Sequence, residues 1–363
     1  MNYSHPSPCC SKLLAQISYD PQSDTLIHLG DIVSKSKEVS SNPVLSFMST
    51  NRVLGVRGNN DEKVIEWRAW MGWIASFPGG REWLEDMDSY WSHIDGDKSN
   101  PEFDAWLKKS HQQWQAYVPS GWKLKGKHYK IARDMSQEHY EYLLSLPLVL
   151  YAPVAHTYFV HAGLLAADPT RKSTDPKQPL SHWPITANPK EDRLVLRGLQ
   201  ELALLDEIPQ NQDPWVLMNM RSLSKDGIVR DGKKGTPWSD LWNDIMNSCS
   251  GLSPTEPLTI LSKHLNCFPS MVIYGHAAAR DLDVKRWSIG VDTGCVGDPN
   301  LLFKRLDADS HQAYSRRLTA VVLDAKSLFP KTHSAAFGAS LQESLIPYGD
   351  AGIAQIISVK CHA

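Results

Sequence analysis

The sequence predicts an α/β fold in which strands alternate with helices and a Trp-rich helical segment is inserted between strands. Three observations lead there. Short apolar runs that close on a small or polar residue alternate with helical stretches near the start of the chain. From residue 62 to 146 that rhythm gives way to helical periodicity alone. Residues able to do chemistry stand directly after the apolar runs, where sheets of this class expose ligand sites at strand C-termini.

Taken in order, residues 25–29 form a strand-like run before Gly30-Asp31, and residues 52–56 another before Arg57-Gly58-Asn59. Helical patterns at 10–17 and 42–48 precede each of them. The helical segment carries Val64, Trp67, Trp70, Trp73 and Ile74 on related turns. Further helices are expected at 103–117 and at 136–146, where Ser136 is placed to cap the helix and Glu138 favours its first turn. Residues 155–160 run into His161-Ala162-Gly163. A Pro-rich stretch with a helix at 189–205 then covers the site with loops carrying Asn219-Met220-Arg221 and Pro237-Trp238. Residues 270–274 precede Gly275-His276, and 287–291 precede Asp292-Thr293-Gly294.

Composition limits the function. With 363 residues, 42% hydrophobic and 21% charged, the chain can bury a large core and is not disordered throughout. A formal net charge of −2 offers no basic field to collect nucleic acid or anionic lipid, so a phosphate-bearing ligand must be held by a local site. No run approaches the roughly 20 apolar residues of a membrane helix, and the first residues do not read as a signal peptide. The expectation is a soluble, cytoplasmic chain, with a vacuolar destination if an N-terminal anchor is missing. The six cysteines lack C-x-x-C spacing and read as reduced, mostly buried thiols. Eight of the 13 tryptophans fall between Trp67 and Trp122, read as the core of the helical insertion rather than as lining over a ligand.

The chemistry rests on four elements: Gly30-Asp31, Gly58-Asn59-Asn60-Asp61, His161-Ala162-Gly163 and Gly275-His276. Singly each has a bland reading, a turn or a packed core histidine. Together, at successive strand ends, Asp, Asn, His and His form the mixed oxygen and imidazole set that suits Mn²⁺, Fe²⁺ or Zn²⁺ at a reactive site.

The strings HLGDIVSK, GVRGNND, FVHAGL, VIYGHAAAR and GVDTGCV resemble the calcineurin-like metallophosphoesterases, in their phosphoprotein-phosphatase and diadenosine-tetraphosphatase branch. EWRAWMGW, LMNMRSL, PWSDLW and RRLTAVVL are similar to the fungal serine/threonine-phosphatase-like group that includes vacuolar endopolyphosphatases. The resemblance implies a four-layer sandwich of two mixed sheets flanked by helices. It also implies two metals that clamp phosphoryl oxygens and supply a hydroxide for in-line attack. Asp31 would bridge the metals, and Asn59, His161 and His276 would complete the second metal's shell. Asn60 stands where the family has the His that protonates the leaving oxygen. Lys35 and Arg221 are the cations that would hold phosphate, with Arg280 a weaker candidate and Arg57 structural. Asp292 is an outer-shell acceptor for a histidine or, on the bland reading, the Asp of a turn.

The sequence departs from the family in two places that bear on activity. The family's opening Gly-Asp-x-His-Gly strand, which holds the first metal, has no counterpart, so one metal is expected in this chain and an exposed strand edge prone to aggregation. Asn60 can donate a hydrogen bond but cannot transfer a proton near neutral pH, which favours phosphoanhydrides over serine phosphate. Residues 297–313 look like an insertion, and the expected domain is 1–323 with its helical insertion at 62–146, followed by a C-terminal extension at 324–363. The implied partner is a phosphorylated small molecule, polyphosphate or a phosphoprotein. Two functions compete: a metal-dependent hydrolase whose true N-terminus supplies the first-metal ligands, and a pseudophosphatase that binds phosphate without turnover.

Overall fold

The computed structural model describes residues 7–33, 43–92, 114, 116–124, 126–172, 175–182, 192–225, 227–229, 234–251, 265–295, 316–324 and 345–361. Lys35, the segment 297–313 and most of the expected helix at 103–117 lie outside them. The architecture is mixed α/β, as the strand and helix patterns predict. All five expected strands are present: β1 (Ile27–His28), β2 (Leu54–Gly55), β4 (Thr157–Val160), β8 (Met271–Tyr274) and β10 (Ser288–Gly290).

β1 and β2 pair in parallel. In a five-stranded sheet β4, β8 and β10 run parallel, with β3 (Val149–Ala152) and β9 (Asp283–Lys285) antiparallel at its edges. A central parallel strand is covered on both faces, and β4 and β8 are accordingly buried at every position. Their side chains join Leu164, Trp238, Trp242 and Ile289 in the largest core. Trp238 and Trp242 come from α9 (Trp238–Ser248), next to the small sheet of β5 (Ser222–Ser224), β6 (Gly227–Val229) and β7 (Thr236–Pro237). Helices α7 (Arg193–Asp206) and α8 (Pro214–Asn219) complete that side, each started by an aspartate side chain that accepts a backbone N–H.

The helical segment has its own core. α3 (Asn59–Ala75), α4 (Gly80–Ser92), α5 (Lys127–Asp134) and α6 (Gln137–Ser145) pack around Val64, Ile74, Met87 and Leu143. Ser136 caps α6 by accepting from His139 N–H at 3.2 Å. Trp67 meets Trp70 and Tyr129 edge-on at 5.3 and 5.1 Å, and Trp83 stacks on Trp114 at 5.8 Å. Four of the clustered tryptophans are therefore core side chains; Trp73, 45% exposed, is not. α2 (Pro43–Thr50) joins the same core.

Residues 345–361 belong to a three-stranded sheet, in which β13 (Gly352–Lys360) lies in the middle and pairs antiparallel with β11 (Arg317–Leu323) on one side and β12 (Leu345–Tyr348) on the other. Tyr348, 1% exposed, reaches the main core and hydrogen-bonds Thr157. The boundary at 323 cuts through this sheet, because the last recognisable motif ends there while the pairing runs on. α1 (Pro8–Gln16) packs on its face through Leu13, Ile357 and Val359.

The cysteines are not all reduced thiols. Cys249 is disulfide-bonded to Cys267, and the sulfurs of Cys9, Cys295 and Cys361 converge within 4.8 Å of one another, Cys361 in bonding contact with either neighbour. Cys9, Cys295 and Cys361 come from distant segments, so their spacing in sequence carries no signal. Cys10 alone is a buried thiol, its pKa pushed up to about 11 by burial. Among the described residues no helix is long and apolar enough to cross a membrane.

Candidate metal centre

Each of the four elements emerges from the end of a strand, and the backbone there is unusual. Gly30 (φ +83°) has no room for a side chain: a Cβ would lie 2.6 Å from Gly58 N and 2.9 Å from His161 Nδ1. Asp31 (φ +56°) and His276 (φ +63°) are also left-handed. Such conformations cost about 1–3 kcal/mol each in a non-glycine residue and persist where neighbours hold them. Asp31 N–H donates to Asp61 Oδ2 at 2.7 Å, and the His276 carbonyl accepts from Arg221 Nη2 at 3.1 Å.

Asp31, His161 and His276 each direct one ligand atom into a space where these atoms lie within 4.8 Å of one another. His161 is 1% exposed, and its ring meets that of His276 at 5.0 Å. The hydrogen bond of His161 Nδ1 to the Leu29 carbonyl (2.7 Å) fixes the tautomer, since a carbonyl only accepts. In the neutral ring the lone pair then sits on His161 Nε2, 3.2 Å from Asn59 Oδ1 and 3.5 Å from Asp31 Oδ1. Three acceptors facing one another repel; a divalent cation among them turns the repulsion into coordination. The residues thus fit a site for a divalent cation, with a carbonyl holding the His161 imidazole in place.

Asn60, at the start of α3, bonds twice to Asp31: its backbone N–H donates to Oδ1 at 2.8 Å, and its Nδ2 donates to Oδ2. Arg221 sits beside His276, while Arg280 donates to the Arg221 carbonyl at 2.6 Å, a supporting contact. Arg57 pairs with Glu62 at 2.9 Å and donates to the Leu144 carbonyl, as a structural residue does. Asp292 accepts from Gly294 N–H and Ala278 N–H, both at 3.2 Å. It therefore shapes its own turn and the one after His276, while the His161 ring is oriented by the Leu29 carbonyl.

Three residues with no expected role belong to the site. Asp61, fully buried, accepts from the N–H groups of Asp31 (2.7 Å), Gly58 (2.9 Å) and Val33 (3.1 Å), tying the two ligand loops together. Burial and the neighbouring Asp31 push its pKa up to about 7 against the pull of these hydrogen bonds. Its position three residues after Gly58 was the available clue, since an acid there reaches back to the helix N-cap. His128, at the start of α5, bonds Asn60 Oδ1 through Nε2 at 2.9 Å. His28 accepts from Gly30 N–H through Nδ1 (3.2 Å) and bonds Tyr142 Oη through Nε2 (2.9 Å), while Tyr142 donates to the Val53 carbonyl. No sequence spacing announces either histidine.

His28 makes acid sensitivity predictable. Burial, then the nearby His161, pulls its pKa down to about 4. The unfolded chain, at about 6.5, binds more protons between these values, so stability is full above pH 6.5 and falls as pH drops toward 4. The loss amounts to about 3 kcal/mol. Urea midpoints at pH 7.5 and 5 should differ more for the wild type than for His28→Gln, which keeps a donor and an acceptor but does not titrate. Parallel losses in both proteins would contradict this.

No family model matches the chain, and neither does any curated protein. Among solved structures, a crystal structure described as that of a "putative diadenosine tetraphosphatase" aligns over 79% of this chain and 78% of its own, at 19% identity and a TM-score of 0.39. A likeness that distant carries no inference about residues or substrate.

Proposed function

We propose that the chain is a metal-dependent hydrolase of phosphoric esters or phosphoanhydrides, with one divalent cation held by Asp31, Asn59, His161 and His276. The observation that carries this reading is the convergence of Asp31, His161 and His276, with the His161 tautomer fixed so that its Nε2 lone pair points among acceptors. The resemblance of the four strand-end motifs to metallophosphoesterases supports the same reaction. The cation would polarise the phosphoryl oxygens and activate the attacking water. Asp31 and the two histidines hold it, and the Asn60 amide donates to Asp31. Arg221, with Lys35 as a second candidate from outside the described residues, supplies positive charge for the phosphoryl group. From Asn60 alone, anhydrides such as polyphosphate or nucleotide polyphosphates are favoured over phosphoproteins, because their leaving groups need less protonation.

The test is metal content and turnover on one preparation. Purified protein equilibrated with Mn²⁺ or Zn²⁺ and dialysed should retain one equivalent, and should hydrolyse p-nitrophenyl phosphate and polyphosphate. A chain that binds no cation overturns the reading. Retained metal and phosphate binding without turnover supports the pseudophosphatase, a reading that Asn60 also favours. The Cys249–Cys267 disulfide fits an oxidising compartment better than the cytoplasm, where thiols are kept reduced.

A further inference from the structure

Hydrolysis at this site needs a proton for the leaving oxygen whenever that oxygen is strongly basic, and the amide of Asn60 cannot give one. A second side chain stands behind it. Asn60 Nδ2 donates to Asp31 Oδ2, a carboxylate oxygen that only accepts, which leaves Asn60 Oδ1 facing the other way, toward His128. Because Oδ1 is itself an acceptor, the His128 nitrogen 2.9 Å from it carries a proton, so the ring presents Nε2–H toward the centre. His128 is partly exposed and stands on the first turn of α5, which packs against α3, the helix that begins with Asn59 and Asn60. A titratable donor from the helical segment is thus held one side chain away from a metal ligand.

We propose that His128 is the proton donor of this site, resting on Asn60 Oδ1 until a substrate oxygen takes that place; the proposal deepens the hydrolase reading and rests on it. The step balances without a redox partner. Water adds to phosphorus, the bond from phosphorus to the leaving oxygen breaks, and that oxygen takes the Nε2 proton of the protonated ring. A neutral ring with its proton on Nδ1 remains. The surplus proton of the attacking water passes to solvent, and His128 regains one from there. Esters with basic leaving groups then come within reach of a site that Asn60 alone would confine to anhydrides and activated esters.

The test separates proton donation from a structural tether. His128→Gln keeps a donor for Asn60 Oδ1 but cannot titrate. It should lower turnover of an alkyl phosphate roughly 10²-fold while changing turnover of p-nitrophenyl phosphate and polyphosphate less than about threefold. An equal fall on all three substrates, or none, overturns the role of His128 and leaves the hydrolase reading standing. A wild-type chain inert toward all three overturns both. A readout independent of turnover is the ring ¹⁵N spectrum: Nε2 should be the protonated nitrogen of the neutral ring, and orthophosphate or vanadate should shift its signal in the wild type. A proton on Nδ1 instead, or a ring blind to both anions, also overturns the proposal.

Discussion

Asp61→Ala should destabilise the protein by about 3–6 kcal/mol and abolish tight cation binding. The side chain is fully buried and accepts three backbone N–H groups, those of Asp31, Gly58 and Val33. Leaving a buried donor unmade costs about 1–3 kcal/mol each. Removing the carboxyl offsets part of this, since burial and Asp31 already disfavour its ionised form. Against a usual total of about 5–15 kcal/mol the remainder is large. Asp61→Asn should fall between, because one amide oxygen can serve two of the donors while its NH₂ group confronts the third. Urea unfolding of the three proteins decides it, and an Asp61→Ala midpoint close to the wild type would show that these bonds contribute little.

His161→Ala should cost roughly 10³-fold or more in turnover, equivalent to about 4 kcal/mol of barrier, with loss of the bound cation. The fold should survive better than in Asp61→Ala, because the ring makes few hydrogen bonds that other groups depend on: one to the Leu29 carbonyl and one contact with Asn59. Stability and activity thus separate between the two positions. Elemental analysis after dialysis, beside a melting curve, checks the pair. A His161→Ala protein that keeps its full equivalent of metal would remove His161 from the ligand set.

The proposed ligands could be picked out from the sequence because each stands close after an apolar run, and a strand's C-terminus is a place the sequence marks clearly. Asp31, Asn59, His161 and His276 needed no knowledge of long-range packing beyond the order of their strands. His128 and His28 did, since their contacts span 68 and 114 residues and exist only once α5 packs on α3 and α6 on β1. The C-terminal sheet was missed for another reason. Ile353, Ile356, Ile357 and Val359 give β13 a β-branched character that could have been read as a strand, but it lies past the last motif that drew attention. The three-cysteine cluster had no readable signal at all. Only the tertiary fold brings Cys9, Cys295 and Cys361 together, from a helix, a turn after a strand and the end of another strand.

That meeting of cysteines brings two far-separated points of the chain side by side. Cys9 and Cys361 are 352 positions apart in sequence, yet their Cα atoms stand 5.4 Å from each other. A short peptide could bridge the two, so the span 9–361 is open to circular permutation: residues 9 and 361 could be fused and new ends cut in an exposed turn such as that at residues 21–23. Because a permutant keeps every strand pairing and moves only the ends, it would leave the metal centre with the same neighbours. It would also let either new end carry a reporter on the face of the molecule where the cut is made.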